Sequence, residues 1–198
     1  MNLPNKLTVL RVILIPFFMV FILLPDFVDI SKLLCDIIAA AIFGIASFTD
    51  YLDGKIARSQ NLVTDFGKFM DPIADKLMVF GAFFCFLVSE SFAQYKYIFA
   101  IIVFVVLVRE FAVTSIRLVA QSSGGKVIAA NMLGKVKTVT QIIFILAALV
   151  EKHLFFFSDF MVKYIPITSL SCIIMFIFTV LSGANYLIAN KQYIDPKK

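Results

Sequence analysis

Long apolar runs separated by short polar segments constrain this chain more than any other feature. They lie at about residues 12–24, 30–49, 73–88, 97–117, 136–150 and 165–188. Hydrophobic residues make up 61% of the chain, whereas the apolar share of a soluble domain is about 45–50%. A helix that crosses a bilayer needs about 20 mostly apolar residues. The sequence therefore predicts one all-α integral membrane domain over residues 1–198, with six transmembrane helices.

The N-terminal segment is predicted to form a short juxtamembrane helix on the membrane surface before the first span. Pro4 suits the first turn of such a helix. Thr8 and Arg11 are three residues apart and would share one face of it. The pair Pro25-Asp26 is expected to close the first span.

The distribution of positive charge predicts the orientation in the membrane. Fourteen of the 18 lysines and arginines fall on the side that holds both termini, and 4 fall on the other. Because cytoplasmic loops carry the excess of positive residues, both termini and the segment 50–76 are expected in the cytoplasm. The net charge of +5 is explained in this way without a nucleic-acid partner. The small single-domain form and the lack of a transit segment favour a bacterial plasma membrane.

Four aspartates stand close together where the second apolar run ends and the third begins. Asp50 and Asp53 are three residues apart, and Asp71 and Asp75 are four apart. Either spacing places both carboxylates on one face of a helix. Two neighbouring antiparallel helices can therefore present all four carboxylates to a single point.

Carboxylates gathered at a low-dielectric boundary repel one another unless cations compensate their charge. No histidine or cysteine lies nearby, and an all-oxygen ligand set suits Mg²⁺ or Mn²⁺ better than zinc. Two such ions would hold a diphosphate and stabilise both the attacking and the leaving oxygen at phosphorus. Asp75, which lies farthest into the third span, is placed to take a proton from an attacking hydroxyl. The alternative is that the acids only form salt bridges with neighbouring lysines and Arg58.

The stretch from Asp50 to Asp75 resembles the signature of the CDP-alcohol phosphotransferase family, D-x2-D-G-x2-A-R-x8-G-x3-D-x3-D, and every fixed position is present. The resemblance implies a six-helix membrane enzyme, usually a homodimer, that transfers a phosphatidyl or similar group from a CDP-linked donor to an alcohol. It also implies two metal ions on the four aspartates, with Asp75 as general base. The residues expected to hold the donor are Asn5, Thr8, Arg11, Thr49, Gly54, Ala57, Arg58 and Gly67.

Positive residues farther along the chain predict which alcohol accepts the group. The residues expected to bind it are Arg109, Thr114, Arg117, Lys135 and Lys137. Glycerol 3-phosphate has a dianionic head that would use this charge, whereas neutral choline or inositol would not. These cations could instead be ordinary positive-inside anchors. The runs R-E-x6-R and G-K-x-K-T, and the opening N-L-P-N-K-L-T-x2-R, are similar to the phosphatidylglycerophosphate synthases within the family.

The predicted reaction is therefore the condensation of CDP-diacylglycerol with glycerol 3-phosphate, which yields phosphatidylglycerophosphate and releases CMP. One alternative is a transferase of the same family with serine, inositol phosphate or phosphatidylglycerol as acceptor. A remote alternative is a cation transporter, which would need acids near the bilayer midplane and on more than two helices.

Two other polar residues receive no catalytic role from the sequence. Asp36 lies in the second span toward its outer end. His153 falls in the predicted outer loop and is expected to be a solvated surface residue rather than a ligand.

Overall fold

The computed structural model describes residues 2–59, 64–122 and 132–191, and all regular secondary structure within these ranges is helical. Two 3₁₀ helices, Leu24–Asp26 and Glu90–Tyr95, follow the first and third α-helices. The α-helices are α1 (Leu3–Leu23), α2 (Lys32–Ser59), α3 (Asp65–Val88), α4 (Lys96–Ser122), α5 (Met132–Leu154), α6 (Asp159–Tyr164) and α7 (Pro166–Ala189). The predicted all-α class is confirmed.

Five helical segments in the described part of the chain are long and apolar enough to cross a membrane. They are Leu3–Asp26, Lys32–Ile56, Phe92–Ala120, Met132–Leu154 and Asp159–Ala189. Helix α3 is not among them, because Asp71, Asp75 and Lys76 leave only a short uncharged stretch before its end at Val88. The chain is an all-α, multi-pass membrane protein, and the sixth span stays a prediction.

In helix α4 a charged residue lies inside and apolar residues lie outside, the reverse of a soluble helix. Glu110 is buried together with Val106. Large apolar side chains on the outside recur every three or four residues: Ile98, Ile101, Phe104, Val108 and Phe111. Charge inside and apolar bulk outside suit a helix that faces lipid.

The chain divides into two compact units, one formed by Met1–Lys96 and Ile145–Ile165, the other by Tyr97–Phe144 and Pro166–Lys198. Within the first unit, α1 packs against both α2 and α3. These two helices carry the two halves of the acidic motif. Helix α1 is therefore the element that touches both halves.

The start of the chain differs from the prediction. Helix α1 is continuous from Leu3 to Leu23, with Asn2 as N-cap, whose side-chain oxygen accepts a hydrogen bond from the backbone N–H of Asn5. The expected separate juxtamembrane helix is wrong, because no breaking residue interrupts the helix until Pro16, which membrane helices tolerate. Helix α1 ends at Leu23, and the 3₁₀ turn Leu24–Asp26 follows it at the pair Pro25-Asp26.

Gly81 provides a test of the packing between α1 and α3. A Cβ atom at this position would lie 3.3 Å from Met19 Sδ and 3.4 Å from Ile15 Cγ2. We expect Gly81→Leu to lower the free energy of unfolding by about 1–3 kcal/mol, because overpacking strains a close-packed contact. The measurement is the temperature at which the buried thiols, Cys35 among them, react with a maleimide dye during heating in detergent.

Gly44→Leu is the matched control for Gly81→Leu. A Cβ atom at Gly44 would meet nothing within 4 Å, and both substitutions change helix propensity alike. Equal midpoints for the two variants would contradict the packing described here.

Candidate active site

The two halves of the acidic motif lie on two helices of the first unit that both pack against α1. Asp50 and Asp53 belong to the C-terminal part of α2, and Asp71 and Asp75 to the N-terminal half of α3. The backbone of the α2 half is helical throughout. The side chains of three of its fixed signature residues lie outside the part of the chain that the structure describes: Asp53, Ala57 and Arg58.

Arg11 on α1 forms a salt bridge with Asp50 on α2. Its Nη1 lies 2.6 Å from Asp50 Oδ1. The arginine side chain is 2% exposed and the aspartate side chain 43% exposed. A guanidinium buried this deeply requires a charged partner. The pair therefore fixes one carboxylate oxygen of Asp50 while the residue still reaches solvent.

Thr8 makes the equivalent contact with the other half of the motif. Its hydroxyl lies 2.6 Å from Asp71 Oδ1 and 3.2 Å from the carbonyl oxygen of Pro4. Thr8 is buried and stands three residues before Arg11, on the same face of α1. One face of α1 thus contacts one acid from each half of the motif.

The start of α3 is anchored to α1 by Asn5. Thr64 is the N-cap of α3, and its hydroxyl oxygen accepts a hydrogen bond from the backbone N–H of Gly67 at 3.1 Å. The same hydroxyl donates to Asn5 Oδ1 at 3.0 Å. A Cβ atom on Gly67 would lie 3.1 Å from Asn5 Oδ1 and 3.7 Å from Asp71 Oδ2. Sequence reasoning missed Thr64, whose only signal is a threonine directly before a helix.

The remaining predicted donor residues are placed on α2. The hydroxyl of Thr49 donates to the carbonyl oxygen of Ala46 in its own helix at 2.9 Å. Gly54 is half-buried one turn after Asp50. Thr49 and Gly54 therefore lie beside the acidic residues, on the same stretch of helix.

The described side chains are chemically suited to a hard divalent cation. Asp50 and Asp71 supply carboxylate oxygens, and Arg11 and Thr8 each hold one oxygen of these groups, as outer-shell partners of metal ligands do. Among the described side chains, no group of three His, Cys, Asp or Glu residues is gathered closely enough to hold an ion.

In the second unit, two of the predicted anion-binding cations converge on one carboxylate. Glu110 Oε1 accepts hydrogen bonds from Arg109 Nη1 at 2.8 Å and from Lys137 Nζ at 2.7 Å. These three side chains are 12%, 11% and 7% exposed for Arg109, Glu110 and Lys137. The structure therefore brings Arg109 and Lys137 together inside this unit.

The other three predicted acceptor residues lie at further positions on α4 and α5. The hydroxyl of Thr114 donates to the backbone carbonyl of Glu110 in its own helix at 2.8 Å. Arg117 is half-buried, and Lys135 is exposed.

Helix α7 contributes two residues that sequence reasoning missed. Arg109 Nη2 donates a hydrogen bond to Ser182 Oγ at 2.6 Å. A Cβ atom on Gly183 would lie 2.7 Å from Arg109 Cγ. The available signal is a pair of small residues within an apolar helix, which is typical of close helix packing in membranes.

His153 is not the solvated loop residue that the sequence predicted. It lies in α5, and its Nε2 is 2.7 Å from Asp36 Oδ2. The earlier expectation is wrong because α5 continues as far as Leu154. Asp36 is buried and needs a polar partner in these apolar surroundings.

Comparisons with known proteins show which sequences this chain resembles. The sequence profile of the CDP-alcohol phosphatidyltransferase family matches residues 1–183. A relative from Bacillus subtilis (strain 168) is 44% identical over 195 residues, which cover 96% of this chain and 95% of the relative. A relative from Escherichia coli (strain K12) is 37% identical over 143 residues, 72% of this chain and 73% of the relative. Both relatives are named CDP-diacylglycerol–glycerol-3-phosphate 3-phosphatidyltransferase.

The contact between Thr8 and Asp71 can be tested by metal binding alone. Thr8→Val keeps the shape of the side chain but removes the hydroxyl that Asp71 accepts from. We expect the affinity for Mn²⁺ to fall about tenfold, because loss of an outer-shell partner loosens its ligand. The measurement is electron paramagnetic resonance of free Mn²⁺ during titration of the detergent-solubilised protein without substrates.

Thr179→Val is the matched control for Thr8→Val. Thr179 is buried, and its hydroxyl donates to the carbonyl oxygen of Met175 in its own helix at 2.7 Å. An equal Mn²⁺ affinity in the two variants would show that the hydroxyl of Thr8 has no effect on the acidic site.

Proposed function

Because this chain belongs to the CDP-alcohol phosphatidyltransferase family, we propose that it transfers the phosphatidyl group of CDP-diacylglycerol to glycerol 3-phosphate. The products are phosphatidylglycerophosphate and CMP, and the protein is a transferase of phosphatidylglycerol synthesis. The observation that carries this function is the similarity, along almost the whole chain, to a relative named for the same reaction. The packing of α1 against both halves of the acidic motif supports it.

We assign metal binding to Asp50, Asp53, Asp71 and Asp75. The family generally uses divalent metal ions, and we propose two ions, Mg²⁺ or Mn²⁺. When bound, they would neutralise the diphosphate of the donor. The oxygen-only character of the acidic motif supports this assignment. So do the contacts of Thr8 and Arg11, which orient two of the acids.

We assign the role of general base to Asp75. Its carboxylate takes the proton of the glycerol 1-hydroxyl, whose oxygen then forms a bond to the β-phosphorus of the donor. The bond from that phosphorus to the oxygen of CMP breaks, and CMP leaves. The position of Asp75 one turn after Asp71 on α3, where it is half-buried, supports this role.

The donor is assigned to the residues around the acidic motif. The cytidine diphosphate would contact Asn5, Thr49, Gly54, Ala57, Arg58 and Gly67. Thr8 and Arg11 belong with this group, and their contacts to Asp71 and Asp50 give them an orienting role. The acyl chains would remain in the bilayer.

The acceptor is assigned to the basic residues of the second unit. The phosphate of glycerol 3-phosphate would be bound by Arg109, Thr114, Arg117, Lys135 and Lys137. The burial of Arg109 and Lys137 around one carboxylate supports a role beyond that of exposed membrane anchors.

We propose that the protein crosses a bacterial plasma membrane six times, with α3 as the sixth span. Both termini and the active site would face the cytoplasm, and residues 1–198 would form a single domain that assembles as a homodimer. The excess of lysine and arginine on one side of the predicted topology supports this orientation.

The acceptor is tested with a panel of candidate alcohols. Purified protein receives labelled CDP-diacylglycerol, Mg²⁺ and either glycerol 3-phosphate, serine, inositol phosphate or phosphatidylglycerol. We expect CMP release with glycerol 3-phosphate and with none of the other three acceptors. Its dianionic phosphate matches the basic residues, whereas serine carries no phosphate. The relatives named for glycerol 3-phosphate favour it over inositol phosphate. CMP release with serine but not with glycerol 3-phosphate would refute the assignment of glycerol 3-phosphate as the acceptor. Metal flux into proteoliposomes without nucleotide chemistry would instead support a transporter.

The general base is tested by Asp75→Asn. We expect turnover to fall by at least about 10²-fold, because a positioned base contributes a factor of this size or more. Turnover is measured as CMP release, and folding is checked by thermal unfolding in detergent. Asp29→Asn, at an exposed position before α2, is the control and should keep its activity. Near-normal turnover in Asp75→Asn would show that another group takes the proton.

A further inference from the structure

We propose that Glu110, Ser182 and Gly183 are positioning residues of the acceptor site. They would hold Arg109 and Lys137 in the arrangement that receives the phosphate of the acceptor. This inference rests on the proposed function, since it takes the acceptor to be a phosphorylated alcohol.

Glu110 allows two cations to lie close together in a buried place. Arg109 Nη1 and Lys137 Nζ both donate to the same carboxylate oxygen, at 2.8 and 2.7 Å. Without this carboxylate the two positive charges would repel each other strongly in an apolar interior. With it, two cations and one anion leave a single excess positive charge. The cluster is therefore ordered and still attracts a phosphate.

Ser182 fixes the plane of the guanidinium. One terminal nitrogen of Arg109 is bound to Glu110, and the other, Nη2, lies 2.6 Å from Ser182 Oγ. A planar group held at both ends cannot rotate, and arginine recognises phosphate through such a fixed fork of donors. Ser182 thus determines the direction in which the guanidinium points.

Gly183 determines where the stem of Arg109 lies. A Cβ atom at this position would come within 2.7 Å of Arg109 Cγ, which is closer than real Cβ contacts allow. The side chain therefore packs directly against the backbone of α7, in space that any other residue would occupy. A single added methyl group would displace Arg109 without altering any charge.

An ordered pair of cations lowers the cost of binding the acceptor. Lysine and arginine side chains lose much rotational freedom when they bind an anion. Because Glu110, Ser182 and Gly183 impose this order beforehand, the cost is not incurred again when the substrate arrives. Their loss should therefore raise the KM for the acceptor and leave the KM for the donor unchanged.

If Glu110 competed with the acceptor for the cations, its removal would change the KM for the acceptor in the opposite direction. If Glu110 only neutralised the cations and competed with the acceptor, its removal would strengthen acceptor binding. The sign of the change in KM therefore separates the two roles.

The main experiment compares Gly183→Ala and Ser182→Ala with the unmodified protein. CMP release is measured while glycerol 3-phosphate and CDP-diacylglycerol are varied in turn. We expect the KM for glycerol 3-phosphate to rise about tenfold in both variants. Ser182→Ala removes one hydrogen bond to a charged group, which has about this effect, and the methyl group of Gly183→Ala displaces the same guanidinium. The KM for CDP-diacylglycerol should stay within about twofold. An unchanged KM for glycerol 3-phosphate, or an equal rise for both substrates, would overturn the inference.

Two conservative substitutions serve as controls. Ser171→Ala removes a buried hydroxyl from the same helix that donates to the carbonyl oxygen of Thr168 at 2.9 Å. Gly44→Ala adds a methyl group where nothing lies within 4 Å. Both should keep the KM values of the unmodified protein. A rise in the acceptor KM of either control equal to that of its test variant would overturn the inference.

Glu110→Gln completes the set, because it removes the charge at nearly constant shape. A higher KM for glycerol 3-phosphate supports positioning, and a lower one overturns it in favour of competition.

The unmodified protein is assayed first. If it releases no CMP with glycerol 3-phosphate, the proposed function has failed. If it does, and Gly183→Ala and Ser182→Ala behave like their controls, the positioning role alone has failed.

Discussion

The first unit depends on the contact between one face of α1 and the acids of two other helices. Arg11 is almost completely buried, and a bare guanidinium there would be very unfavourable. Asp50 supplies the negative charge that this guanidinium needs, with its Oδ1 2.6 Å from Arg11 Nη1. Each residue therefore compensates for the other, and Thr8 repeats the arrangement with Asp71 one helical turn earlier. Two acids of the motif, Asp50 and Asp71, thus help to hold α2 and α3 against α1.

The second unit applies the same principle with the signs reversed. There a single acid, Glu110, pairs with two cations, Arg109 and Lys137, and orders them. Arg11 in the first unit and Glu110 in the second each form salt bridges with residues of the opposite charge and hold them in place. In the proposed function, the negative charge of the acidic motif binds metal ions, and the positive charge of Arg109 and Lys137 binds phosphate. Those are the two charges that a metal-dependent transfer to a phosphorylated acceptor requires.

Local sequence patterns predicted the helical class and the helices that carry the acids, because both follow from the spacing of residues along one helix. They did not identify the partners. Arg11 and Asp50 are 39 residues apart, Thr8 and Asp71 are 63 apart, and Asp36 and His153 are 117 apart. Such pairs depend on which helices pack against each other, and the sequence of an apolar helix does not reveal its packing partner. The same limit made His153 look like a surface residue and left Ser182 without a role.

Glycine shows most clearly why sequence reasoning stops where it does. A glycine in an apolar helix has the same local appearance wherever it lies, yet the missing side chain matters only through what it would meet. At Gly44 it would meet nothing, whereas at Gly67 it would meet Asn5 and at Gly183 it would meet the stem of Arg109. The last two glycines adjoin residues that orient a charged group, and Gly44 does not. Close approach alone does not mark such a position, since at Gly81 the added atom would meet only Met19 and Ile15. The chemistry of the neighbouring side chain makes the difference, and only the folded structure shows which side chain that is.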